Sequence, residues 1–180
     1  MWRCQVEKVV KRVLVSVVVF FAAGMLFAGS AAAGGTGGSG SDYKLGVGYQ
    51  GMWVHGFLNG VSGRIWTDTE FGMEGNLYMG NVDGDIKLYI LEGKAMFAPV
   101  IKQNSRFYVG GLLSVASYDF GVDDGSMWGL GAFLGSEWFY PDFPEIGFNF
   151  DVGYKYYSDN DDLDINLWGI DATWGIHYYF

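Results

Sequence analysis

The sequence predicts an all-β chain in which eight antiparallel strands close into an up-and-down transmembrane β-barrel, preceded by a cleavable signal peptide. Three observations carry this expectation. From Asp42 onward apolar residues recur at every second position, the period of a strand with two unlike faces. The recurrence divides into eight segments, and an even count lets antiparallel strands close on themselves. One face of each segment is aromatic and aliphatic while the other mixes glycine with charge, so the two faces meet different surroundings.

Arg3, Lys8, Lys11 and Arg12 stand against the single acid Glu7, an apolar run follows from Val13, and Ala31, Ala32 and Ala33 close it. That order of basic, apolar and small residues predicts a signal peptide over residues 1–33, cleaved after Ala33. An uncleaved membrane anchor is the competing reading, because the apolar run is slightly long. Loss of residues 1–33 removes four bases and one acid, so the formal charge goes from −9 to −9 − 4 + 1 = −12. A chain this acidic lacks the basic footprint that nucleic acid requires. The one cysteine, Cys4, falls in the segment to be removed and precedes the apolar run, which excludes a lipidated cysteine, a disulfide and thiolate chemistry in the mature chain. Residues 34–41, GGTGGSGS, form a flexible tether, and residues 42–180 form the barrel domain.

The eight segments run around Tyr43 to Trp53, Gly60 to Thr67, Phe71 to Gly80, Ile86 to Phe97, Arg106 to Phe120, Met127 to Tyr140, Ile146 to Tyr157 and Leu163 to Phe180. The seventh is the clearest: Ile146, Phe148, Phe150, Val152, Tyr154 and Tyr156 alternate with Gly147, Asn149, Asp151, Gly153, Lys155 and Tyr157. In the sixth, Trp128, Leu130, Leu134, Trp138 and Tyr140 alternate with Gly129, Gly131, Gly135 and Glu137. Connectors after segments two, four and six, TDTE, PVIKQNS and PDFPE, are short and collect all three prolines. Those after segments three, five and seven are acidic. Short turns on one rim and polar loops on the other are the pattern of an outer-membrane barrel with both termini on the short-turn side.

Over residues 42–180 this pattern resembles the small OmpA/OmpX-type and opacity-like outer-membrane barrels, with the OmpW-like barrels as a second choice. The ending IDATWGIHYYF is similar to the insertion signal of such proteins, in which alternate apolar residues lead to a terminal phenylalanine. The resemblance implies that Trp174, Ile176, Tyr178 and Phe180 face lipid and are read by the barrel-assembly machinery. A soluble, lipocalin-like barrel is the alternative fold, with its apolar face inside around a ligand.

With the aromatic face toward lipid, the lumen receives Lys44, Gln50, Arg64, Glu74, Asn76, Glu92, Lys94, Arg106, Glu137, Asp151, Lys155, Asp171 and His177. Charges of both signs must pair across strands there, because an isolated charge in a low-dielectric interior is expensive. A lumen this narrow is filled by its own side chains. The charges therefore read as a static clamp, with a narrow ion gate, in which Glu92 exchanges between Lys94 and Arg64, as the competing reading.

Candidate chemistry is sparse. His55 lies in the first outer loop, with Ser62 and Ser126 the nearest serines by depth, and no motif joins them into the His and Ser pair that lipid-modifying barrel enzymes use. No enzyme activity and no cofactor are expected. Asp123 and Asp124, with Asp159, Asp161, Asp162 and Asp164, offer oxygen ligands for weak divalent-ion binding, but their spacing departs from the EF-hand loop. The expected protein is an integral outer-membrane barrel with a structural, surface-interaction or adhesion-like role and outer-membrane lipid around it. Transport of a small or hydrophobic solute is the alternative. The sequence names no ligand.

Overall fold

The computed structural model describes residues 45–53, 57–67, 70–82, 86–119, 124–159 and 166–180. The expected signal peptide and tether, Lys44, His55 and most of the acidic loop residues lie outside these. The described residues form eight strands: β1 Leu45–Trp53, β2 Phe57–Trp66, β3 Phe71–Val82, β4 Ile86–Lys102, β5 Ser105–Asp119, β6 Asp124–Tyr140, β7 Phe143–Asp159 and β8 Asn166–Tyr179. Each pairs antiparallel with its neighbour in sequence, and β8 pairs with β1, so the sheet closes.

Closure fixes how the rows of side chains climb. Register partners followed from Arg106 pass through Glu137, Asn149, Gly175, Gln50, Gly60, Tyr78 and Ile90, and return to β5 at Ala116. The stagger is 116 − 106 = 10 residues around the eight strands. Such a stagger tilts the strands, and at this strand number it leaves an interior only wide enough for side chains.

Period two survives in the burial. Along β7, Asp151, Gly153 and Lys155 are buried while Tyr154 is exposed. The exposed set includes Trp128, Trp138, Trp168 and Trp174, so the apolar face is the outer one, which overturns the lipocalin-like alternative. Outward aromatics gather near both strand ends, with Phe71, Phe97, Trp138 and Phe180 on the short-turn side and Trp53, Tyr89, Trp128 and Trp168 on the loop side. Aromatic belts of this kind suit the two interfaces of a bilayer, where a ring has one apolar and one wet end.

The connectors are tighter than the sequence suggested. PVIKQNS contracts to a turn at Gln103 and Asn104 because β4 continues to Lys102, and its Pro99 sits in a register shift between Phe97 and Val100. PDFPE contracts to Pro141 and Asp142, with Pro144 inside β7 beside a second shift at Phe139 and Tyr140. Proline lacks the N–H that the ladder needs, so within a sheet it is tolerated at such irregularities. β2 begins at Phe57 instead of near Gly60, and the expected start of the eighth segment at Leu163 lies outside the described residues.

The lumen is less uniformly small and charged than its parity implied. A cluster of Trp66, Met96, Tyr108, Leu112, Phe133, Phe139 and Tyr179 fills the short-turn end. Met52, Leu58, Tyr78, Ile90 and Ala116 fill the loop end, with Leu88, Met127 and Tyr157 packed against them. The rings fit because glycines face them. A β-carbon at Gly72 would stand 2.7 Å from the Trp66 ring, and one at Gly46 would stand 2.8 Å from the ring of Tyr179. Aromatic side chains thus cover the bare backbone of the glycines beside them.

Candidate functional site

Between the two apolar layers lies a buried ionic network. Its members come from seven strands: Arg64 on β2, Glu74 on β3, Glu92 and Lys94 on β4, Arg106 on β5, Glu137 on β6, Asp151 and Lys155 on β7, and Asp171 and His177 on β8. All are at most 5% exposed. Alternation places each one inward, and the stagger of the barrel brings partners from distant strands to the same depth.

Arg64 pairs with Glu74, its neighbour in register, and reaches across the lumen from Nη1 to Glu137 Oε1 at 2.8 Å. The Lys94 ammonium sits among three carboxylates, 2.7 Å from Asp151 Oδ2, 3.1 Å from Glu74 Oε1 and 3.7 Å from Glu92 Oε1. Lys155 bridges Glu92 Oε2 at 2.5 Å and Asp171 Oδ2 at 2.8 Å. Arg106 Nε stands 3.3 Å from Glu137 Oε2, and its guanidinium lies over the rings of Trp66 and Phe139. Neutral donors complete the shell: the hydroxyls of Tyr108 and Tyr179 donate to Asp151 and Glu137, Thr173 donates to Asp151 at 3.1 Å, and Asn76 Nδ2 donates to Glu74 at 2.7 Å.

Several pairs span the lumen between strands that are not neighbours in the sheet: Arg64 with Glu137, Lys94 with Asp151, and Lys155 with Glu92. They act as struts. Removal of one partner strands the other as an uncompensated charge in a low-dielectric interior, which is what makes such a pair costly to break. In the competing reading Glu92 would exchange between Lys94 and Arg64; in this structure Arg64 is held by Glu74 and Glu137, and Glu92 lies closer to Lys155 than to Lys94.

His177 meets Ser62, with Nε2 and Oγ 2.8 Å apart, while Nδ1 has no hydrogen-bond partner within the protein. Both residues are buried in the lumen, so the serine weighed as a partner for His55 is instead engaged by the other histidine. Ser126 is half-buried on β6. Among the described residues no three or more His, Cys, Asp or Glu side chains group as metal ligands. Trp174, Ile176, Tyr178 and Phe180 all face outward from β8 and its end. Tyr108 and Tyr179, absent from the expected lumen set, share the parity of Arg106 and His177, but their role as donors to carboxylates on other strands depends on the register and was not legible.

The N-terminal β-barrel domain of OprF from Pseudomonas aeruginosa superposes on this chain with a TM-score of 0.61, covering 77% of this chain and 98% of that one at 12% sequence identity. The fold is that of an outer-membrane β-barrel. Neisserial surface protein A, NspA, aligns over 80% of this chain and 100% of its own at 19% identity, with a TM-score of 0.48. No family model matches the barrel sequence, and no curated protein matches it. At 12% identity the likeness to the OprF domain extends to the outer-membrane barrel fold, while the ion pairs above are described from this chain alone.

Proposed function

We propose that this chain is an integral outer-membrane barrel whose lumen is a structural strut, and whose interactions take place on the wall and at the acidic loop rim. The observation that carries this reading is the filling of the lumen. Met52, Leu58 and Tyr78 at the loop end, Arg64 in the middle, and Tyr108 and Tyr179 at the short-turn end are each 0% exposed. Two apolar layers enclose the ionic one, so a hydrated solute would have to displace close-packed side chains at both ends. This favours surface interaction over transport. It also argues against lipid chemistry at Ser62 and His177, since a lipid carbonyl has no route to a sealed pair.

Recordings from purified barrel in a planar bilayer test the reading. The expected outcome is a baseline without discrete conductance steps under applied voltage. Reproducible single-channel steps from the wild-type protein would establish a lumenal path and favour transport.

A further inference from the structure

We infer that the barrel lumen holds one monovalent alkali cation, coordinated by the side-chain oxygens of Gln50 and Asn149. Two independent observations converge on it. The first is the charge balance: among the described residues the buried lumen contains four cations, Arg64, Lys94, Arg106 and Lys155, against the five carboxylates described above. One negative charge is left over in a space closed by apolar layers, where an uncompensated charge is costly.

The second observation is a pair of amides with nothing to bind. Gln50 is 0% exposed and Asn149 is 3% exposed, yet neither the oxygen nor the nitrogen of either side chain has a hydrogen-bond partner in the protein. Buried polar groups of this kind are normally satisfied, so each calls for a partner that is not protein. The two residues flank Gly175 in the same row of the sheet, Gln50 on β1 and Asn149 on β7. Their oxygens crowd the same point. A β-carbon at Gly175 would collide with Gln50 Oε1 and stand 2.6 Å from Asn149 Oδ1 and 2.7 Å from the Tyr49 carbonyl oxygen. Glycine at 175 is what lets the oxygens approach.

Two neutral amide oxygens with no donor, beside a backbone carbonyl oxygen, suit a weakly hydrated monovalent ion better than a divalent one, which would draw carboxylates into its shell. A carboxylate is adjacent. Glu137 is the register partner of Asn149, and its Oε2 accepts no hydrogen bond, standing 3.3 Å from Arg106 Nε. The ion would sit at the edge of the network, beside Glu137. With apolar layers at both ends, it would be captured as the barrel closes and exchange slowly afterward.

Crystals of the full barrel refolded and grown in rubidium chloride, with sodium and potassium excluded, decide the matter by anomalous diffraction. The expected result is a rubidium peak within coordinating distance of Gln50 Oε1 and Asn149 Oδ1, absent from Gln50→Leu barrel treated identically. No anomalous peak at that position in the wild-type barrel overturns the inference, and it would assign the balancing charge to a proton and the amides to water. A supporting measurement avoids crystals: the wild-type barrel should refold in higher yield in potassium than in choline at equal ionic strength. Equal yields would also count against the site.

Discussion

On β7 two neighbouring residues live in opposite solvents: Asp151 points into the lumen and meets Lys94, Tyr108 and Thr173, while Val152 points to the outer face. The inner face is held by directed contacts between specific atoms on distant strands. The outer face needs only to be apolar, because lipid has no preferred partner. Substitutions should therefore be tolerated by kind on the outside and by identity on the inside.

The largest effect is expected inside. Lys94→Met removes the ammonium that Asp151, Glu74 and Glu92 share, and should destabilise the barrel by about 3–5 kcal/mol by leaving buried carboxylates uncompensated. Equilibrium unfolding in urea from lipid vesicles measures it, and an unchanged midpoint would mean the network is hydrated and loosely coupled. Outside, Val152→Arg should cost roughly 2–4 kcal/mol by a different route, the placing of a charge against hydrocarbon near mid-wall. If Val152→Arg matches Val152→Ala in the same assay, the faces are exchanged.

Two glycines sharpen the contrast at constant chemistry. A methyl group at Gly135 would collide with Asp151 Oδ1 and stand 2.6 Å from the Tyr108 ring, so Gly135→Ala should cost about 1–3 kcal/mol through overpacking. Gly93 lies on the exposed face, and a β-carbon there meets nothing within 4 Å. Gly93→Ala should cost nothing and gain up to about 1 kcal/mol, because it removes backbone freedom from the unfolded chain. The comparison fails if the two variants unfold at the same urea concentration. The smallest stability effect is expected at Phe180, which faces outward at the end of the wall. Phe180→Ala should refold in detergent almost as wild type and still give a low membrane yield in cells, and a normal cellular yield would remove the insertion-signal proposal.

Much of the fold was legible because period two is a local property. Residues i and i+2 share a face whatever the neighbouring strand is, so Arg64, Glu74, Glu92, Lys94, Glu137, Asp151, Lys155, Asp171 and His177 could be assigned to one side from spacing alone. The turns were less legible. Pro99 and Pro144 look like breakers in sequence, yet each lies within a strand beside a register shift that absorbs the missing N–H. The aromatic content of the lumen was hidden for another reason: Trp66 and Tyr179 need glycine partners at Gly72 and Gly46, which belong to other strands.

The sequence by itself determined which residues face which way, that eight strands alternate, and that the chain is acidic, since all of these follow from local periodicity and composition. Only the tertiary structure decided who meets whom. Whether Glu92 pairs with Lys94, Arg64 or Lys155 depends on a ten-residue stagger that accumulates around the closed sheet, and no single strand encodes that sum. The same stagger brings Gln50 and Asn149 to either side of Gly175 and sets Ser62 against His177. Parity is written one residue at a time, whereas register exists only once the barrel has closed.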